Sequence, residues 1–229
     1  MKPDVARELF DASAETYDRV NSVISLGLDA RWRAWAAREA VAEPGTRVLD
    51  AFAGTGLVGL ACARLGADVT LADISARMLA VARSRAQRAG LSVRFAQHDL
   101  TDAEAPSPPE APFDAITMMF GARYLDDPAQ VIGRLASWLR PEGRFVLVEF
   151  VEPSGAVLSR LAAIYFFRIL PRIASALAGR RELYDTLVTT THAMGPSASL
   201  VGLLENAGLE VEQVHLMGFG LVCGIVARP

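Results

Sequence analysis

From Arg47 onward, short apolar runs alternate with longer stretches whose apolar residues recur at helical spacing. RVLDAF (47–52) reads as a buried strand, and LVGLACARLG (57–66), behind a glycine-rich turn, as a helix. DVTLAD (68–73) is the second strand; Ser75 can cap the helix that follows and Gly90 can end it. VRFAQHD (93–99) is a third strand, and the proline-rich EAPSPPEAP (104–112) is a loop. FDAITMMF (113–120) is a fourth strand, PAQVIGRLASWLRPEG (128–143) a helix closed by Pro141 and Gly143, and RFVLVEF (144–150) a fifth strand. SASLVGLLENAG (197–208) is a short helix; LEVEQVHL (209–216) and GLVCGIVAR (220–228), joined at MGFG (217–220), form a hairpin. Strands alternating with helices predict right-handed crossovers and a parallel sheet. The expected fold is α/β over one domain, residues 1–229: a mostly parallel seven-stranded sheet, a C-terminal antiparallel hairpin, and helices on both faces.

Composition narrows this picture rather than changing it. A length of 229 residues suits one α/β domain with a large core. The net charge of -3 argues against a nucleic-acid partner, which would need a concentrated basic surface. Ala156–Leu177 approaches the length of a membrane span, but Arg160, Arg168, Arg172 and Pro171 interrupt it. Each charge at a bilayer centre costs about 2.5–3.5 kcal/mol, so residues 154–190 are expected as a helical insert packed over an apolar site. A peripheral membrane contact and a homodimer interface are two open readings of its outer surface. The start of the chain, MKPDVARELF, lacks the apolar core of a secretory leader, and a cytoplasmic protein is expected. Cys62 and Cys223 lie in apolar runs and are expected as buried thiols. With His98, His192 and His215 they show no metal-ligand spacing, so no metal is expected.

The chemistry gathers at the strand ends. Gly54, Gly56 and Gly59 follow the first strand in a G-x-G-x-x-G arrangement that suits either a dinucleotide or S-adenosylmethionine (SAM). Asp50 separates the two: its carboxylate would repel a pyrophosphate on the helix N-terminus but favours the ammonium and sulfonium of SAM. An NAD-dependent oxidoreductase is disfavoured for that reason. The glycines are expected to let the backbone approach the methionine moiety. Asp73, ending strand two beside Ile74, can accept from both ribose hydroxyls, and Asp99 can accept from the adenine amino group. His98 is expected at the surface and His215 as a structural residue.

Three longer segments carry a family resemblance. They are Tyr17-Asp18-Arg19-Val20-Asn21-Ser22-Val23-Ile24-Ser25-Leu26-Gly27-Leu28-Asp29-Ala30-Arg31-Trp32, Phe120-Gly121-Ala122-Arg123, and Leu139-Arg140-Pro141-Glu142-Gly143-Arg144 leading to Val148-Glu149-Phe150. With Leu170-Pro171-Arg172 and Tyr184 they resemble, over Phe10 to about Ala207, the UbiE/COQ5/MenG quinone C-methyltransferases. The resemblance implies a Rossmann-like class I methyltransferase with SAM as cofactor and S-adenosylhomocysteine as product. It implies a small apolar aromatic acceptor, a demethylmenaquinol-like quinol methylated at carbon. Thr55, Asp73, Asp99 with Leu100, and Met119 fall where the family binds SAM, Met119 standing in place of the usual Ser. The acceptor side departs from the family pattern. Tyr124 replaces an Asn, Val151 a Ser, and the segments Tyr184–Thr190 and Gly218–Gly224 keep the family's Tyr184, Leu187 and Gly218 but differ at most other positions.

Transfer to carbon needs an electron-rich nucleophile, which ionisation of a neighbouring phenol supplies. Arg123 is the candidate to hold that phenolate, or else it pairs with Asp126 or Asp127 at the surface. Tyr124 and Tyr184 are candidate acceptor contacts, and His192 a candidate base. Tyr17 and Asp18 are expected on an N-terminal helical lid, residues 1–40, that closes over the cofactor. Leu161, Ile164, Tyr165, Phe166 and Phe167 in the insert would suit a greasy acceptor or simply bury a helix face. Two further functions stay open: a relative recruited to a secondary metabolite, methylating C, O or N, and a non-catalytic SAM-binding protein.

Overall fold

The apolar runs pair into a seven-stranded sheet in the order β3-β2-β1-β4-β5-β7-β6. The computed structural model describes residues 3–14, 17–104, 106–108, 110–153, 162–169 and 181–229. The strands are β1 (Arg47–Ala51), β2 (Asp68–Asp73), β3 (Arg94–Gln97), β4 (Phe113–Met119), β5 (Leu139–Phe150), β6 (Glu210–Met217) and β7 (Val222–Arg228). β1 to β5 run parallel, and β7 runs antiparallel to both β5 and β6. Chain order reverses between β1 and β4, the point where open α/β sheets leave a crevice outside the strand ends.

The helices are α1 (Pro3–Ser13), α2 (Tyr17–Ile24), α3 (Asp29–Ala40), α4 (Leu57–Arg64), α5 (Ala76–Ala89), α6 (Pro128–Ala136), α7 (Arg181–Met194) and α8 (Ser197–Asn206). Residues of α3, α4 and α5 pack with Val48, Val69 and Val146 in one core, and residues of α6 and α8 with Leu49, Ile116 and Leu147 in another. Neighbouring residues of β1 and β5 thus enter opposite layers, as the strand period requires. The Ser75 side chain accepts from Met78 N–H to cap α5, and Gly90 ends it at φ 64°.

Two expectations are corrected. The helix expected over 128–143 stops at Ala136, and one strand runs from Leu139 to Phe150. Phe113 pairs with Leu139 and donates to Trp138 O (2.8 Å), and a register shift before Ala115 absorbs Arg140–Gly143. Arg140 precedes a proline, which disfavours helical backbone there. β3 is shorter than expected and ends at Gln97.

The N-terminal forty residues divide. α3 buries Trp32, Trp35, Ala36, Ala37 and Ala40 and is part of the core, with His215 stacked on Trp35 at 5.6 Å. α1 and α2 reach the crevice from outside. Asp11 accepts from the Ser75 hydroxyl, so the α5 cap also anchors the end of α1. Of the insert, Phe166 is buried against Phe150 (5.0 Å between rings), while Ile164 and Ile169 are exposed. Leu161, Leu170, Pro171, Arg172 and the rest of 154–161 and 170–180 lie outside the described residues, as does the side chain of Tyr184. Among the described residues, no helix is long and apolar enough to cross a membrane.

Candidate active site

The carboxylates that end successive strands converge on a cavity at the β1–β4 crevice, with about 1150 Å³ of empty space, part of it open to solvent. Tyr17, Asp50, Gly54, Thr55, Asp73, Ile74, Asp99, Leu100, Met119 and Tyr124 all line it. Asp50 is buried; its Oδ2 accepts from Gly59 N–H and its Oδ1 from the Thr117 hydroxyl, both at 2.8 Å. It therefore serves the N-terminus of α4 as well as the cavity.

The three glycines have different roles, and this corrects the expectation that all approach the ligand. Gly54 (φ 53°) faces open space, with nothing within 4 Å of a built Cβ. Gly56 (φ 77°) and Gly59 serve internal packing: a Cβ would meet Ala82 Cβ at 2.9 Å or Leu71 Cδ2 at 2.2 Å. Gly56 does not line the cavity.

Asp73 Oδ2 accepts from Gly54 N–H and Oδ1 from Ser75 N–H, both at 2.8 Å. Each oxygen keeps a lone pair for a ligand. Burial pushes its carboxyl upward against those backbone bonds. Asp99 Oδ1 accepts from the Thr101 N–H (2.9 Å) and hydroxyl (2.6 Å), which leaves Oδ2 available. Thr55 donates to Asp18 Oδ1 (2.8 Å), and Asp18 Oδ2 pairs with Arg85 on α5, so α2 is tied to the glycine loop. His98 lines the cavity instead of lying at the surface, because the chain leaves the sheet at Gln97 and His98 N–H donates to Asp73 O (3.0 Å).

The β4 end of the cavity is aromatic. Phe10 meets Tyr17 and Tyr124 edge-on at 5.9 and 5.3 Å. Phe52 and Phe120 end adjacent strands with left-handed backbone (φ 56° and 60°), a conformation costly for a bulky residue and found at ligand sites. Burial, the largest cause, pushes the Tyr17 hydroxyl pKa well up, so it stays a hydrogen-bond donor at neutral pH.

Arg123 does not line the cavity. Its guanidinium is buried, pairs with Glu149 at the end of β5, and lies over the rings of Phe120, Tyr124 and Phe150 at 5.0–5.2 Å. The expected alternative partners, Asp126 and Asp127, are not the ones it takes. Burial would lower its pKa, but Glu149 first, then Tyr124, hold it protonated; the Tyr124 side chain is hydrogen-bonded to it. It reaches the cavity through Tyr124. His192 lies outside the cavity lining, exposed, paired with Glu152 and stacked on Phe167 at 4.4 Å. The pattern of apolar and polar residues missed Phe10, Phe52, Asp29 and Arg33, which also line the cavity. Only the place of Asp29 and Trp32 in the first family-like segment signalled that α3 comes near.

Burial raises the Asp50 pKa to about 6, against its bonds from Thr117 and Gly59. A carboxyl with a raised folded pKa contributes stability at low pH that is lost as pH rises from its ordinary value through about 6. A cationic ligand beside it has the opposite dependence, since protonation removes its partner. SAM affinity should therefore be full above pH 6 and fall by up to about tenfold per unit below it. Asp50→Asn can keep both hydrogen bonds, so calorimetric titration between pH 5 and 7 should give weaker binding with a shallower pH dependence than the wild type. A flat wild-type profile would separate Asp50 from the cofactor's cationic end.

The site chemistry fits SAM. Carboxylates face a cavity with a single guanidinium, a field that suits two positive charges and repels a pyrophosphate, and Gly54 leaves room at the loop. Sheet order and site together define a class I SAM-dependent methyltransferase; SAM is the methyl donor. The chain matches the ubiE/COQ5 methyltransferase family over residues 1–228 and belongs to it. It is 34% identical over 215 residues to a demethylmenaquinone methyltransferase of Thermus thermophilus, across 93% of this chain and 96% of the relative. It is 32% identical over 226 residues to the ubiquinone/menaquinone biosynthesis C-methyltransferase UbiE of Shewanella sediminis, across 96% of this chain and 89% of that one. Magnesium protoporphyrin IX methyltransferase from Synechocystis, solved with bound SAH, shares the fold at a TM-score of 0.66 and 19% identity, with both chains fully covered.

Proposed function

We propose that the enzyme methylates a ring carbon of a small, apolar, hydroxylated aromatic of the quinol class. The observation that carries this reading is the aromatic β4 end of the cavity, where Phe10, Tyr17, Phe52, Phe120 and Tyr124 line the wall together with Met119. A flat aromatic acceptor gains from such walls through area burial and edge-to-face contacts. Relatives named for demethylmenaquinone and ubiquinone/menaquinone biosynthesis support the same class.

SAM, when bound, supplies a methyl group on a sulfonium leaving group. Asp73 would hold its ribose and Asp99 its adenine, and Ile74, Leu100 and Met119 would pack against it. Tyr17 and Tyr124, which line the cavity, would donate to the acceptor oxygen and stabilise the phenolate that makes the adjacent carbon nucleophilic. Arg123 positions Tyr124 rather than touching the acceptor. α1 and α2, tied down through Asp11 and Asp18, would exclude water, so that alignment provides most of the acceleration.

The test is mass spectrometry of a reaction with methyl-labelled SAM and a short-chain demethylmenaquinol kept reduced. Labelled C-methylated quinol is the expected product. SAM binding without that product would overturn the quinol reading. It would favour a different phenolic acceptor, which Tyr124 in place of the family's Asn already allows.

A further inference from the structure

Asp18, Asp29, Asp50, Asp73 and Asp99 face the cavity, and among its described lining residues Arg33 is the single cation. SAM brings two positive groups to such a field but also one carboxylate, on its methionine end. A carboxylate among five others is repelled unless a cation is held next to it.

Arg33 is held. It lies one helical turn after Asp29 on α3, with Nη1 2.6 Å from Asp29 Oδ2. Asp29 is 3% exposed, and its Oδ1 has no hydrogen-bond partner among the described residues. A buried carboxylate in that setting strongly favours keeping the guanidinium beside it. The pair uses one of the five donors of the guanidinium, and the planar fork leaves others for a second carboxylate.

The position also fits. Along the sheet edge the cavity passes from Asp99 at β3 and Asp73 at β2 to the β1 loop and then Phe120 at β4. α3 packs against α4, β4 and β5, at the far end of that path from Asp99. A cofactor whose adenine and ribose take Asp99 and Asp73 extends its methionine toward α3. We propose that Arg33 binds the methionine carboxylate of SAM and that Asp29 is the positioning residue that aims it. The proposal rests on the cofactor assignment and is independent of the acceptor.

The test is calorimetric affinity of the full chain for SAM and for decarboxylated SAM, which lacks only that carboxylate. In the wild type, decarboxylated SAM should bind about 10- to 100-fold more weakly than SAM, the worth of a charge-assisted hydrogen bond. Arg33→Ala and the milder Arg33→Gln should weaken SAM by a similar factor and change decarboxylated SAM by less than about threefold. Arg33→Lys should recover part of the loss for SAM alone, and Asp29→Asn should weaken SAM selectively but less. The ratio of two ligands on one variant cancels any shared loss of folded protein. Equal weakening of both ligands, or of neither, would reduce Asp29–Arg33 to a helix-stabilising pair and overturn the proposal. A wild type that binds neither ligand would overturn the cofactor assignment with it, a distinct result.

Discussion

Replacing Arg123 by alanine is expected to lower the unfolding free energy by about 3–5 kcal/mol, the typical cost of stranding one member of a buried ion pair. Glu149 is 0% exposed, and without the guanidinium it keeps only the N–H groups of Phe150 (2.8 Å) and residue 123 (3.3 Å). Burial already pushes its carboxyl upward, with Arg123 the largest opposing influence. The variant also loses the cation–ring contacts with Phe120, Tyr124 and Phe150. Urea titration at pH 8 measures the loss, and Arg123→Met with Glu149→Leu should restore much of it, since neither charge is then left alone. Turnover of Arg123→Ala should fall through misplacement of Tyr124, with SAM affinity nearly unchanged, because Arg123 stands behind the aromatic end of the cavity. A variant as stable as wild type yet inactive would return Arg123 to direct contact with the acceptor.

Asp73→Ala should weaken SAM by more than about 100-fold, about 3 kcal/mol, if its carboxylate accepts from both ribose hydroxyls. The same carboxylate fixes the loop by accepting from Gly54 and Ser75 N–H, so a bare loss of affinity has two explanations. They separate with an S-adenosylhomocysteine analogue lacking the ribose 2′-hydroxyl. The wild type should bind that analogue more weakly than the parent, whereas Asp73→Ala should bind the two alike. If the variant still discriminates between them, Asp73 shapes the loop without touching the ribose.

Much of the site's address was legible because it rests on local signals. A strand of period two, a left-handed glycine turn and a capped helix each depend on residues within a few positions of one another. β1, β2 and the carboxylates at their ends could therefore be located along the chain. The end of α6 was not, since Leu139 has the apolar character of a helix continuation and only its pairing with Phe113 makes it a strand. Local pattern cannot register a partner 26 residues away.

The same boundary divides the site. Sequence alone determined the α/β class, the order of strands and helices, the family, and the strand-end carboxylates that line the cavity. The tertiary structure decided whom each side chain faces. It set Thr117 and Gly59 on Asp50, Glu149 on Arg123, and His192 out on Glu152, and it turned one edge of the core helix α3 toward the cavity. Period and capping are properties of consecutive residues, readable in order. The pairing of buried charges depends on strand register and on which surfaces lose their water, and these exist only once distant segments have packed.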